Sequence, residues 1–92
     1  MIWAVRQTRR CSRQYKKLHG NPAADVDAAI AEVASNPELG EQKKGDLARL
    51  RVHKFRSDGQ LYLLGYTLDE TVRLIYLEAI GSHQNFYRDL KR

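Results

Sequence analysis

The apolar positions of this chain follow two different periods. Between Thr8 and Ser35 they recur every three or four residues, and from Leu50 onward they alternate or run together. The first pattern predicts helices and the second predicts strands. Before them, Ile2, Trp3 and Val5 have high β propensity and predict a strand over 2–6. Thr8 then caps a helix in which Cys11, Tyr15 and Leu18 share a face, and Gly20 ends it. His19, just before that glycine, suits a C-terminal capping place.

A second helix restarts at Asn21-Pro22, with Asn21 as cap and Pro22 at the first helical position. Ala23, Val26, Ile30, Val33 and Ala34 line its buried face, and Asn36-Pro37 stops it. The short link between the two helices predicts an αα-hairpin. Residues 38–46 are polar, carry Gly40 and Gly45, and read as a loop. A strand follows over 47–56, where Leu50 and Val52 alternate with Arg49, Arg51 and His53. Ser57-Asp58-Gly59-Gln60 is a turn signal. Leu61–Thr67 and Thr71–Ala79 are two further apolar strands around a turn at Leu68-Asp69-Glu70. Gly81 is expected to break the last strand, and residues 83–91 to form a short amphipathic helix. The result is an α+β fold of order β-α-α-β-β-β-α. Three strands form an antiparallel meander in a small twisted sheet, the N-terminal αα-hairpin covers one face, and a short helix closes the chain.

Ninety-two residues suggest one domain, 1–92. The lone Cys11 builds neither a disulfide framework nor a zinc site, which fits a reducing cytosol. The apolar run at the N-terminus is too short for a signal peptide or a membrane span, so a cytoplasmic protein with no membrane partner is expected. The three histidines lack ligand spacing, and no Gly-rich phosphate loop or nucleophile elbow is present. No metal and no cofactor are expected.

Charge narrows the picture. The net charge is +5, spread unevenly: residues 1–20 carry +6, residues 21–46 carry −4 and residues 47–92 carry +3. A positive face of this kind attracts phosphate, nucleic acid first, though a solvated basic surface would look the same. Period two puts Arg49, Arg51 and His53 on one strand face, costly to bury unpaired, with Lys54 and Arg56 pointing the other way. His83 follows Gly81 by two residues and Tyr87 lies one helical turn on, so the two can share a face. Histidine can transfer a proton near neutral pH and tyrosine can stack on a base. Spacing alone favours a plainer reading, with Phe86 anchoring the helix and His83 a surface residue.

The element order, the length, the basic first helix, the strand Tyr62-Leu63-Leu64-Gly65-Tyr66 and the ending Gly81-Ser82-His83-Gln84-Asn85-Phe86-Tyr87 resemble the RelE/ParE superfamily of toxins from bacterial type II toxin–antitoxin systems. The resemblance covers nearly the whole chain, and the histidine in the ending is similar to the YafQ branch. It implies a metal-independent endoribonuclease that cleaves mRNA on the ribosome by attack of a 2′-OH on the adjacent phosphate. It assigns His83 as general acid, His53 as base and Tyr87 as the residue that orients the RNA. Arg51, Lys54 and Arg56 would stabilise the phosphate, and Lys43 and Lys44 would hold the RNA backbone. Leu63 departs from the pattern, standing where RelE carries an arginine, and the hairpin over Phe55–Leu61 is longer than in several members. The resemblance further implies a cognate antitoxin as partner. The ParE branch, which shares the fold but poisons DNA gyrase without cleaving RNA, is the alternative.

Overall fold

The computed structural model describes residues 3–18, 20–45 and 48–90, with Asn21 and Asp89 as backbone only. Of the residues that fall in expected elements, Ile2, His19, Asp46, Leu47 and Lys91 lie outside the described residues. The elements are β1 (Ala4–Gln7), α1 (Arg9–Lys16), α2 (Asn21–Ser35), β2 (Glu41–Gln42), β3 (Arg51–Ser57), β4 (Gln60–Asp69), β5 (Leu74–Ser82) and α3 (His83–Leu90). They form the expected α+β fold around a five-stranded sheet of order β1-β5-β4-β3-β2. β3, β4 and β5 are the antiparallel meander, and β1 joins β5 in parallel.

Local chemistry accounts for most boundaries. Thr8 caps α1 by accepting from the Cys11 amide at 3.1 Å, while its own hydroxyl donates to the Glu78 carbonyl at 3.1 Å and so ties the cap to β5. Asp58 and Gly59 both adopt positive φ, 52° and 79°, as the two-residue hairpin turn between β3 and β4 requires. Several boundaries differ from the sequence pattern. α1 ends at Lys16 rather than at Gly20, and β3 starts at Arg51 rather than at 47. β2 is a two-residue strand inside the stretch read as loop, too short to show any period. α2 has Gly20 as N-cap, with Asn21 already helical. The turn expected at Leu68-Asp69-Glu70 falls later, because β4 runs to Asp69 and β5 starts at Leu74. Gly81 does not break the last strand: β5 continues through Gly81, which pairs with Leu63, to Ser82.

The sheet has an apolar core on each face. Cys11, Val26, Ala29, Val33, Leu64, Tyr66, Ile75, Leu77 and Ile80 pack beneath the α1–α2 hairpin. Leu50, Val52, Leu63, Ala79 and Phe86 pack beneath α3. Polar contacts fix this layer. The Tyr15 hydroxyl donates to Asp27 at 2.7 Å and ties α1 to α2, while the Gln14 side-chain oxygen accepts from the Ile80 amide at 2.8 Å and ties α1 to β5. On the other face Phe86, fully buried, is the anchor of α3. It lies over Gly65, where an added Cβ would come within 2.6 Å of the Phe86 ring. The missing side chain at Gly65 is therefore what lets α3 dock. No helix among the described residues is long and apolar enough to cross a membrane.

Candidate functional site

α3 starts where β5 ends, so His83 sits at the rim of the sheet and is exposed. With Gln60, Leu61, Ser82 and Gln84 it lines an open cleft of about 310 Å³. Strand register sets what stands opposite. Arg56 pairs with Leu61, and Tyr62 pairs with Ser82. One step beyond the latter pair, Leu61 stands beside His83. Arg56 is on the strand beside Leu61, one strand spacing of about 5 Å away, and on the α3 face. Lys54 occupies the next place along that face, opposite Leu63. Both cations are exposed.

Tyr87, one turn along α3 from His83, is half-buried against the Phe86 ring, edge to face at 5.0 Å. The Lys43 ammonium lies 5.7 Å from the centre of its ring. Lys43 also pairs with Glu41 at 3.0 Å. That hydrogen bond, and after it one to the Tyr87 hydroxyl, hold the Lys43 ammonium above the ordinary lysine range. The same bond, joined by the charges of Lys43 and Lys54, holds the Glu41 carboxyl below its ordinary value. The structure thus gathers His83, Arg56, Lys54, Tyr87 and Lys43 on one face, with Lys44 exposed nearby in sequence.

It does not bring Arg51 and His53 there. Both fall on the opposite face of β3, which α2 covers, and this corrects the expectation that they form an open phosphate-binding surface. The His53 side chain is only 13% exposed. Its ring stacks on Phe55 at 6.1 Å, and its buried Nε2 has no hydrogen-bond partner, the Glu32 carboxylate standing 4.0 Å away. Arg51 instead reaches the loop before β2, donating to the Gly40 carbonyl at 3.0 Å. Tyr66 holds the same loop. Its hydroxyl donates to the Pro37 carbonyl at 2.6 Å and accepts from the Gly40 amide at 2.8 Å. The alternation over residues 50–56 holds, and Leu50 and Val52 are buried as expected, beneath α3; α2 covers the other face as well, so polar Arg51 and His53 are enclosed rather than open.

Gln60 and Gln84, which flank His83 in its cleft, carried no signal in the sequence, one being a turn residue and the other a polar residue of a helix start. Among the described residues no three His, Cys, Asp or Glu side chains stand close enough to hold a metal ion.

Residues 5–91 match the model of a family described as the ParE-like toxin of type II bacterial toxin–antitoxin systems. The fold is similar to a chain of the intact Escherichia coli RelBE toxin–antitoxin complex, with 19% identity and a TM-score of 0.71 over 86% of this chain and 94% of that one. It is similar to a chain of the Mycobacterium tuberculosis RelBE2 toxin–antitoxin complex, with 24% identity and a TM-score of 0.69 over 90% of this chain and 100% of the other. The isolated E. coli RelE toxin is alike at 19% identity and a TM-score of 0.71, over 87% and 83% of the two chains. At these identities the likeness to solved structures is one of fold. A comparison with curated protein sequences finds no match.

Proposed function

The chain belongs to the ParE-like toxin family of type II bacterial toxin–antitoxin systems, and on that premise we propose that it is an endoribonuclease that cleaves mRNA on the ribosome. One observation carries this reading: an exposed histidine lines an open cleft with Leu61, and two exposed cations of β3, Arg56 and Lys54, stand on the strand beside that residue. A phosphodiester laid over Leu61 would have Arg56 and Lys54 on one side and His83 on the other.

In this reading the 2′-oxygen attacks the adjacent phosphorus, and the bond from phosphorus to the 5′-oxygen breaks. The 2′-OH proton leaves to solvent, and the 5′-oxygen takes a proton from the His83 imidazolium. The products are a 2′,3′-cyclic phosphate and a free 5′-OH. Arg56 and Lys54 offset the charge that builds on the phosphorane, which is the larger electrostatic contribution. The first-turn amides of α3, which have no partner within the helix, add to it, since a helix N-terminus favours an anion. Tyr87, held by Lys43 and Phe86, stacks on or orients a base. His53 has no part, because α2 and the sheet separate it from this face. Lys43 and Lys44 contact the RNA backbone.

The test is cleavage of an mRNA in a translating extract. The parent is expected to produce mapped breaks, and His83→Ala to slow them by about 100-fold or more, the usual worth of a positioned proton donor. An antitoxin with an acidic, amphipathic segment is the proposed protein partner, as the RelBE complexes carry a cognate antitoxin.

The family's ParE-like description favours a second reading, a non-nuclease that poisons DNA gyrase. It predicts stalled supercoiling and DNA damage with intact mRNA, and no dependence on His83.

A further inference from the structure

The α3 face has a second cleft, at the far end of β4. Side chains of β4 alternate, so Leu61, beside His83, and Thr67 share this face, about 20 Å apart along the strand. The second cleft is about 360 Å³ and is lined by Arg49, Thr67, Leu68, Asp69, Tyr76 and Glu78. A bulge of β5 against Gly65 and Tyr66 leaves Glu78 without a strand partner. One of its carboxylate oxygens accepts from the Thr67 hydroxyl at 2.9 Å, which orients the group. Tyr76 stands beside it with 41% of its surface exposed, whereas Tyr66 of β4 is fully buried. Arg49 also lines an adjoining cleft of about 600 Å³ with Gln42 and Thr71.

The lining decides the ligand. Two carboxylates against one guanidinium repel a phosphate, so this cleft does not extend the cationic row at Lys54 and Arg56. An exposed aromatic ring, an oriented carboxylate and a guanidinium together match the face and edge of a nucleobase. Guanine alone among the four RNA bases presents two adjacent donors, N1–H and N2–H, next to an acceptor, O6. Adenine and cytosine would turn a ring nitrogen lone pair on the carboxylate, and uracil offers one donor between two carbonyls.

We infer that this cleft is a guanine-binding subsite. Tyr76 stacks on the base, the Glu78 carboxylate accepts from N1–H and N2–H, and Arg49 donates to O6. The inference rests on the RNA-cleaving reading of the same face and names a base that the bound strand would carry a few nucleotides from the broken bond.

The experiment titrates GMP, AMP, CMP and UMP into the His83→Ala protein and follows backbone amide resonances. These probes have no bond to cleave, so the outcome is independent of catalysis. The expected result is that GMP shifts residues 67–69 and 76–78 and binds at least about tenfold tighter than UMP, the worth of one or two charge-assisted hydrogen bonds. Glu78→Gln should remove most of that preference, and Tyr76→Leu should weaken all four nucleotides. Tyr76 is exposed, so its substitution leaves the core intact and serves if Glu78→Gln unfolds. Equal binding of all four nucleotides, or shifts confined to residues 60, 61 and 82–84, would overturn the inference. Guanine preference together with undiminished cleavage by His83→Ala would leave the subsite standing and sink the catalytic assignment.

Discussion

His53 and His83 are the same side chain in opposite circumstances, and substitution separates them cleanly. His53 is wedged under α2 with an unpartnered Nε2, so His53→Phe is expected to leave mRNA cleavage within about threefold and to keep or raise stability, since an orphaned buried polar atom costs about 1–3 kcal/mol. A urea titration beside the cleavage assay reads both. Arg56→Ala, which removes no core contact, is expected to lose about tenfold or more in cleavage at unchanged stability. Cys11 shows a different consequence of burial. Desolvation, and after it the Glu78 charge, push its thiol from an ordinary 9.0 up to about 12. The folded state therefore holds its proton more tightly than the unfolded chain. The stability from this preference is fully present below pH 9.0 and is lost as pH rises toward about 12. The parent should lose more stability over that window than Cys11→Val, in urea titrations of both proteins. At pH 8 a thiol reagent should label Cys11 only after denaturation.

Among the elements, α3 carries both His83 and Tyr87, and its place depends on a residue in another strand. Gly65→Ala would put a Cβ 2.6 Å from the Phe86 ring. Overpacking of this kind costs about 1–3 kcal/mol. Because the clash bears on the anchor of α3, cleavage is expected to fall further than global stability, and amide exchange should quicken across residues 83–90. Tyr66 plays a similar part for the loop before β2. Tyr66→Phe strands the Pro37 carbonyl and the Gly40 amide, at about 1–3 kcal/mol by thermal unfolding. Neither dependency was legible in the sequence. The periods of 3.6 and two exposed the helices, the meander and the capped turns, because those are local. The Thr8 cap and the Asp58-Gly59 turn are where local chemistry alone was enough. The pairing of β1 with β5 and the two-residue β2 are long-range, and no local pattern encodes them. The face of β3 that α2 covers was hidden for another reason. Its residues are Arg51 and His53, and polarity pointed outward while the loop at Gly40 and the Phe55 ring took them in. His83 and Tyr87 were legible only through the resemblance of the whole ending.

For the whole molecule, charge is the organising feature. The basic α1, with Arg9, Arg10, Arg13 and Lys16, lies on the side of the sheet away from the His83 cleft. Two positive surfaces on opposite faces suit the proposed pairing with an acidic antitoxin on one and RNA on the other. Reversing Arg9 and Arg13 to Glu is expected to slow association with such an antitoxin by about tenfold at low salt, with dissociation little changed, because exposed charges act mainly on encounter. Surface-binding kinetics at two salt concentrations would show it, and an effect confined to dissociation would argue against this face. His83 is proposed to give a proton to the leaving oxygen of a cleaved mRNA. The most direct measurement is the map of mRNA 5′ ends in a translating extract, with parent and His83→Ala proteins of equal folded content. New ends bearing a 5′-OH are expected with the parent and about 100-fold fewer with the variant. Equal breaks from both proteins, or intact mRNA with stalled gyrase from the parent, would contradict it.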